Sequence, residues 1–162
     1  MKILRAVINT SPWISLAICG QTETLPKLYQ QVFMPPTVRK EILAGGKSLA
    51  GVQELRNAAR INTVDIQDPS KVVLLHELDQ GEAEVILLVQ EQKIHEVIID
   101  EKVARMEARV LGLEVTGTLG LLLRMKKYGL VPQIRPLIEK LLKGGIYIHK
   151  DIIDGIIDEA KE

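Results

Sequence analysis

The sequence predicts a single α/β domain, a three-layer sandwich whose central parallel sheet is covered by helices on both faces. Three observations predict it. Short β-branched apolar runs alternate with longer segments of helical periodicity from one end to the other. The runs are apolar on successive residues, as at Val97, Ile98 and Ile99, which suits strands buried on both faces. No repeat, low-complexity tract or composition shift divides the 162 residues. A domain of this length hides roughly 68–70% of its unfolded surface, so it builds a core without staples or metals.

The elements follow in order. A first strand is expected at 3–8, then a helix opening around Ser11 and Pro12, because proline suits a first turn. A second strand is expected at 31–34, and Pro36 and Thr37 open the helix VRKEIL. The stretch AGGKSLAG at 44–51 has three glycines and little bulk, which predicts a mobile loop. After a third strand at 61–66, Asp79-Gln80-Gly81-Glu82 reads as a capping box before the helix GEAEVILLVQEQ. A fourth strand at 96–99 leads to Asp100, which can cap the helix EKVARMEARVLG, and a short fifth strand occupies 114–116. A single domain is expected over 1–162, with a C-terminal helix at 149–161 as a docking or dimerisation element. That helix aligns Ile152, Ile153, Ile156, Ile157 and Ala160 on one stripe, with Asp151, Asp154 and Asp158 away from it. A homodimer is the expected assembly, since two-fold dimers are the commonest.

Composition narrows the function. Lys+Arg 21 balances Asp+Glu 21, so attraction to nucleic acid must come from a local patch. Five aromatics in all argue against a base-stacking platform. Cys19 is alone, which excludes an internal disulfide and a zinc cluster and favours the cytoplasm. Asn9, Thr10, Ser11 and Pro12 interrupt the first apolar run, so no signal peptide is expected, and no run approaches the ~18 residues of a membrane span. His76, His95 and His149 lack zinc or triad spacing. Gly46-Lys47-Ser48 imitates the end of a phosphate-binding loop, but Glu41 stands where its first glycine belongs.

The chemistry belongs at the carboxyl ends of the strands, where open parallel sheets hold ligands. Asn9 ends the first strand and Asp100 the fourth; if those strands are neighbours, the two share a rim with helix N-termini. Glu41 and Glu82 can reach it, whereas Glu84 diverges from Glu82 by helical rotation. Clustered carboxylates suit a hard cation such as Mg²⁺ or Mn²⁺, which can polarise a phosphoryl oxygen. Each residue also has a structural explanation: Asn9 and Asp100 as caps, Glu82 in its capping box, and Glu41 paired with Arg39 or Lys40. A hydroxyl of the Thr116-Gly117-Thr118 turn could hold a water at the site, or simply cap a helix. Lys102, Arg105 and Arg109 follow Asp100 near one helix face, with Arg124, Lys126 and Lys127 on the next helix. They suit phosphates, although Glu101 and Arg105 also form a helix-surface i, i+4 pair.

The segments VINTSPWISLAICG, VFMPPTVRKEI, LDQGEAEVILLVQEQ and VIIDEKVARMEARVLGLEVTGTLGLLLRMKKYGLV, in that order, resemble a branch of the PIN-domain superfamily, which includes VapC-type toxins. GEAE followed by the IDE-x-x-AR-x-x-A block is the most telling part. The resemblance implies a PIN-like sheet sandwiched by helices and a Mg²⁺- or Mn²⁺-dependent endoribonuclease. It implies acids at Glu41, Glu82 and Asp100, with Glu101 as an auxiliary, and Asn9 where the family's first acid falls. Thr10 and Ser11 match the polar residues that follow that acid. Asn9 removes one negative charge from the set, although an amide oxygen still ligates a hard cation. The partner the resemblance implies is an RNA substrate, with Arg105 in the matching motif; Lys102 and Arg109 could join it by their spacing or be ordinary surface residues, and an antitoxin-like protein is a possible further partner. The alternative is a catalytically weakened module that binds RNA or a protein. A phosphoacceptor role for Asp100 would need an acidic pair where Asn9-Thr10 stands.

Overall fold

The computed structural model describes residues 4–46 and 48–162, so Ile3 of the expected first strand and Lys47 of the glycine-rich segment lie outside the described residues. The chain runs β1 (Arg5–Ile8), α1 (Thr10–Ile18), α2 (Leu25–Leu28), β2 (Gln31–Met34), α3 (Pro36–Ala44), α4 (Val52–Asn57), β3 (Ile61–Thr63), a 3₁₀ segment (Pro69–Leu75) and α5 (Gln80–Glu91). It continues through β4 (Glu96–Ile98), α6 (Lys102–Val110), β5 (Glu114–Thr116), α7 (Thr118–Lys127), α8 (Arg135–Lys143) and α9 (Lys150–Glu159). All five strands are parallel, in the order β3-β2-β1-β4-β5. This is the expected α/β architecture. None of the described helices is long and apolar enough to cross a membrane.

Central position and composition agree. Ala6, Val7 and Ile8 of β1, Val32, Phe33 and Met34 of β2, and Val97 and Ile98 of β4 are buried, which a parallel strand needs when helices cover both faces. On one side α1 packs against α3, α7 and α8; α5 packs on β1 and β4 and touches α6 and the 3₁₀ segment. Trp13 of α1 is fully buried, and its Nε1–H donates to the Gly51 carbonyl at 3.0 Å, tying the end of the glycine-rich segment to the core. Both requirements of a buried indole are thereby met.

Three expectations change in detail. The third strand stops at Thr63 instead of residue 66, because the following chain turns to give the N–H groups of Gln67 and Asp68 to the Glu91 carboxylate at 2.7 and 3.1 Å. The stripe of α9 divides: Ile157 and Ala160 are buried and Ile153 and Ile156 half-buried, but Ile152 is 55% exposed. That helix end is fixed to the body by Lys126, whose Nζ donates to the Ala160 carbonyl at 2.6 Å and pairs with Glu162 at 2.9 Å. Finally, the cap of α6 is Glu101, whose Oε2 accepts from Ala104 N at 2.8 Å. Asp100 is left for another role.

Candidate active site

Strand order reverses between β1 and β4, and this switch point sets the site. Ile8 lies in register with Ile98, and the Asn9 N–H donates to the Ile98 carbonyl at 3.0 Å. Asn9 is therefore pinned beside the end of β4. It occupies the N-cap position of α1 without a side-chain capping bond, and it is buried. Asp100 follows β4 directly. Its Oδ1 accepts from Thr118 N at 2.7 Å and its Oδ2 from the Thr118 hydroxyl at 2.6 Å, so the first residue of α7 orients it. The exposed carboxylate is held across two strand ends instead of capping its own helix.

Glu41 and Glu82 meet from the other direction. Glu41 projects from α3 and accepts from the Thr10 hydroxyl at 2.5 Å; neither Arg39 nor Lys40 pairs with it. Gly81, in the first turn of α5, makes the approach possible, since a Cβ there would lie 2.9 Å from Glu41 Oε1. Glu82 is buried within its capping box: its N–H donates to Asp79 Oδ1 at 2.8 Å, and its Oε2 accepts from Asp79 N at 3.1 Å. Burial raises the pKa of Glu82 above the usual carboxylate range, and the charges of Asp79, Glu101 and Glu41 push the same way against the lowering effect of the Asp79 N–H. Glu84 is buried elsewhere on α5, with its Oε2 lacking a hydrogen-bond partner. Ser11 is exposed in the first turn of α1.

The basic residues divide. Lys102, Arg105 and Arg109 line a groove of about 530 Å³ together with Asp100, Gly117 and Thr118. Arg105 donates from Nη1 to the Ile99 carbonyl at 3.2 Å and forms no ion pair with Glu101, whose carboxylate is engaged in capping. Burial and then Arg109 lower the Arg105 pKa, and Asp100 opposes them. Gly117 is needed for this packing, because a Cβ there would overlap Arg105 Nη1 and lie 3.0 Å from Asp100 Oδ1. Both rim glycines stand in the sequence next to assigned site residues, which was the available signal.

Several expected members are elsewhere. Thr116 faces down the sheet, and its hydroxyl donates to Glu96 Oε1 at 2.7 Å. Arg124, grouped with the phosphate-binding cations, is paired with the same oxygen at 2.8 Å and stacks over Tyr29. Lys126 is committed to Glu162. His76, His95 and His149 are exposed; His149 caps α9 by accepting from Asp151 N at 3.1 Å.

Among the described residues, no three His, Cys, Asp or Glu side chains converge closely enough to enclose a metal ion. The donor set still fits a hard divalent cation in kind. Every donor at the rim is oxygen, and Glu82 is raised above its ordinary value by burial first and then by the charges of Asp79, Glu101 and Glu41. Mg²⁺ in particular keeps several waters and needs only one or two carboxylates. The oxygen-bearing side chains available to such an ion at this rim are those of Asp100, Glu82, Glu41 and Asn9, while Glu101 caps α6.

No curated protein matches the chain. A family model described as PIN domain (DUF3368) matches residues 5–162, nearly the whole length, and its span contains every rim residue named above. On that match, and with an all-parallel α/β sheet, the chain belongs to the PIN-domain superfamily.

Proposed function

We propose that the rim is the active site of a divalent-metal-dependent endoribonuclease. The observation that carries this reading is a set of carboxylates, Glu41, Glu82 and Asp100, with no ion-pair partner among the described residues, near the switch point of the sheet and, at Asp100, lining a groove with Lys102, Arg105 and Arg109. Hydrolysis of a phosphodiester adds water oxygen to phosphorus and releases the leaving ribose oxygen with a proton. Mg²⁺ or Mn²⁺, when bound, supplies polarisation of the phosphoryl oxygen and an acidified water. The chain's own residues do the rest. Asp100, oriented by Thr118, and Glu82, oriented by its capping box, would hold the ion. Glu41, held by Thr10, would orient the attacking water and take its proton. Asn9 offers a weak neutral ligand, and Arg105 faces the phosphate. As the toxin of a toxin–antitoxin pair, such an enzyme would be restrained by an antitoxin-like protein covering this groove.

The test is cleavage of a mixed-sequence single-stranded RNA with Mn²⁺, with an EDTA control and the Asp100→Asn variant. Asparagine keeps an oxygen for the Thr118 N–H, so the fold is expected to survive by circular dichroism. Activity should require metal and fall at least about 100-fold in the variant, the scale of removing one electrostatic contact to the transition state. Absence of cutting by the folded wild-type protein would favour the second reading, a module that binds RNA or protein, which Asn9 in place of an acid supports.

A further inference from the structure

Tyr147 stands 85% exposed on the segment joining α8 to α9. Burial normally claims the apolar body of a tyrosine and leaves only its hydroxyl wet, so a ring left in solvent is available to a ligand. This ring lines the same groove as Lys102, Arg105, Arg109 and Asp100. Cations and a free aromatic face together suit a ligand that is anionic along its backbone and flat at intervals, which describes a nucleic-acid strand. A duplex hides the faces of its bases within the stack, so only an unpaired strand can use the ring. Five aromatics are too few for a platform that stacks several bases, but one bracket needs only one ring.

We propose that Tyr147 stacks on an unpaired base of a single-stranded RNA whose phosphates lie along Lys102, Arg105 and Arg109, and so sets the register of the strand at Asp100. The inference rests on the nuclease reading for the identity of the strand, and adds a positioning residue from the C-terminal part of the chain. Ile152, exposed and lining the same groove, supplies apolar contact beside the ring.

The test separates binding from cutting. In EDTA, wild type, Tyr147→Ala, Tyr147→Leu and Tyr147→Phe are titrated against labelled oligoadenylate, oligouridylate and an RNA duplex, with 2-aminopurine in the adenylate strand reporting stacking. The wild type is expected to prefer the purine strand and to quench 2-aminopurine. Tyr147→Phe should behave alike, whereas Tyr147→Ala and Tyr147→Leu should lose quenching and on the order of tenfold in affinity for oligoadenylate. The salt slope should be unchanged in Tyr147→Ala and shallower in Lys102→Gln by about 0.7, one phosphate contact on a single strand. Equal binding and quenching by wild type and Tyr147→Ala overturns the inference, even if the protein cuts RNA with Mn²⁺. Quenching through Tyr147 without any metal-dependent cutting upholds the inference and overturns the nuclease. No RNA binding by the folded wild type in EDTA overturns the inference, whatever the Mn²⁺ cleavage assay shows of the nuclease.

Discussion

One acid, Glu96, stands at the start of β4, and three, Glu41 on α3, Glu82 on α5 and Asp100 after β4, belong to the opposite rim of the sheet; the two regions treat their acids differently. Glu96 is buried and has its cation: its Oε1 accepts from Arg124 at 2.8 Å, from the Tyr29 hydroxyl at 2.7 Å and from Thr116 at 2.7 Å. Arg124 in turn donates to the Tyr29 hydroxyl at 2.6 Å and lies 5.4 Å from the ring centroid. Burial acts to lower the Arg124 pKa, but its bonds to Glu96 and Tyr29 outweigh that and raise it; burial and then Glu96 raise that of Tyr29. Beyond the other end of the strands, among the described residues, Glu41, Glu82 and Asp100 accept hydrogen bonds only from neutral groups. A buried acid that serves the fold carries its counter-charge within the chain. Under the proposed function, the rim acids take theirs from a bound cation.

Breaking the internal pair should have the largest effect on stability. Arg124→Met leaves Glu96 buried and uncompensated and should destabilise by about 2–3 kcal/mol, discounted from the usual 3–5 because Arg124 is partly exposed. Urea unfolding measures it, and adding Glu96→Gln to the same protein should recover more than half. A smaller effect is expected at the rim from Asn9→Asp. The added charge should raise Mn²⁺ affinity about tenfold, or 1.4 kcal/mol, and lower stability without metal through repulsion with Glu82. Calorimetric titration reads the first and thermal unfolding the second; unchanged affinity would remove Asn9 from the site.

Glu82→Gln gives the smallest change and the sharpest sign. Gln preserves a capping box, so only the charge is lost. The folded pKa of Glu82 is raised by burial and by its acidic neighbours, above an unfolded value of about 4.3. Its contribution to stability is therefore complete below that value and is lost as pH rises through the folded value. Metal-free Glu82→Gln should be more stable than wild type at neutral pH, by less than about 1 kcal/mol. The advantage should vanish in acid. Denaturant midpoints across pH check this, and a Glu82→Gln protein less stable than wild type at neutral pH would mean that the capping role dominates.

The sheet was legible because its strands are short apolar runs, and the register of β1 with β4 then put Asn9 and Asp100 on one rim, as their positions after two such runs implied. The capping box at Asp79 was legible for the same local reason: its two hydrogen bonds connect residues three apart. Contacts between distant elements were not. Asp100 and Glu101 are both acids before a helix, and only the nearness of Thr118 decides which one caps. Thr116 and Thr118 look equivalent in the sequence, yet strand alternation turns the first toward Glu96 and α7 brings the second to Asp100. Arg124 resembled a surface cation until Tyr29, 95 residues away, enclosed it.

The most direct measurement is Mn²⁺ binding, followed by its paramagnetic resonance signal, for wild type, Asp100→Asn and Glu96→Gln. Wild type and Glu96→Gln should bind alike, and Asp100→Asn should lose at least about tenfold, the lower end of what disturbing a metal site does. Asp100→Asn binding as tightly as wild type, or a folded wild type that binds no Mn²⁺, would contradict the assignment of these acids to an external cation.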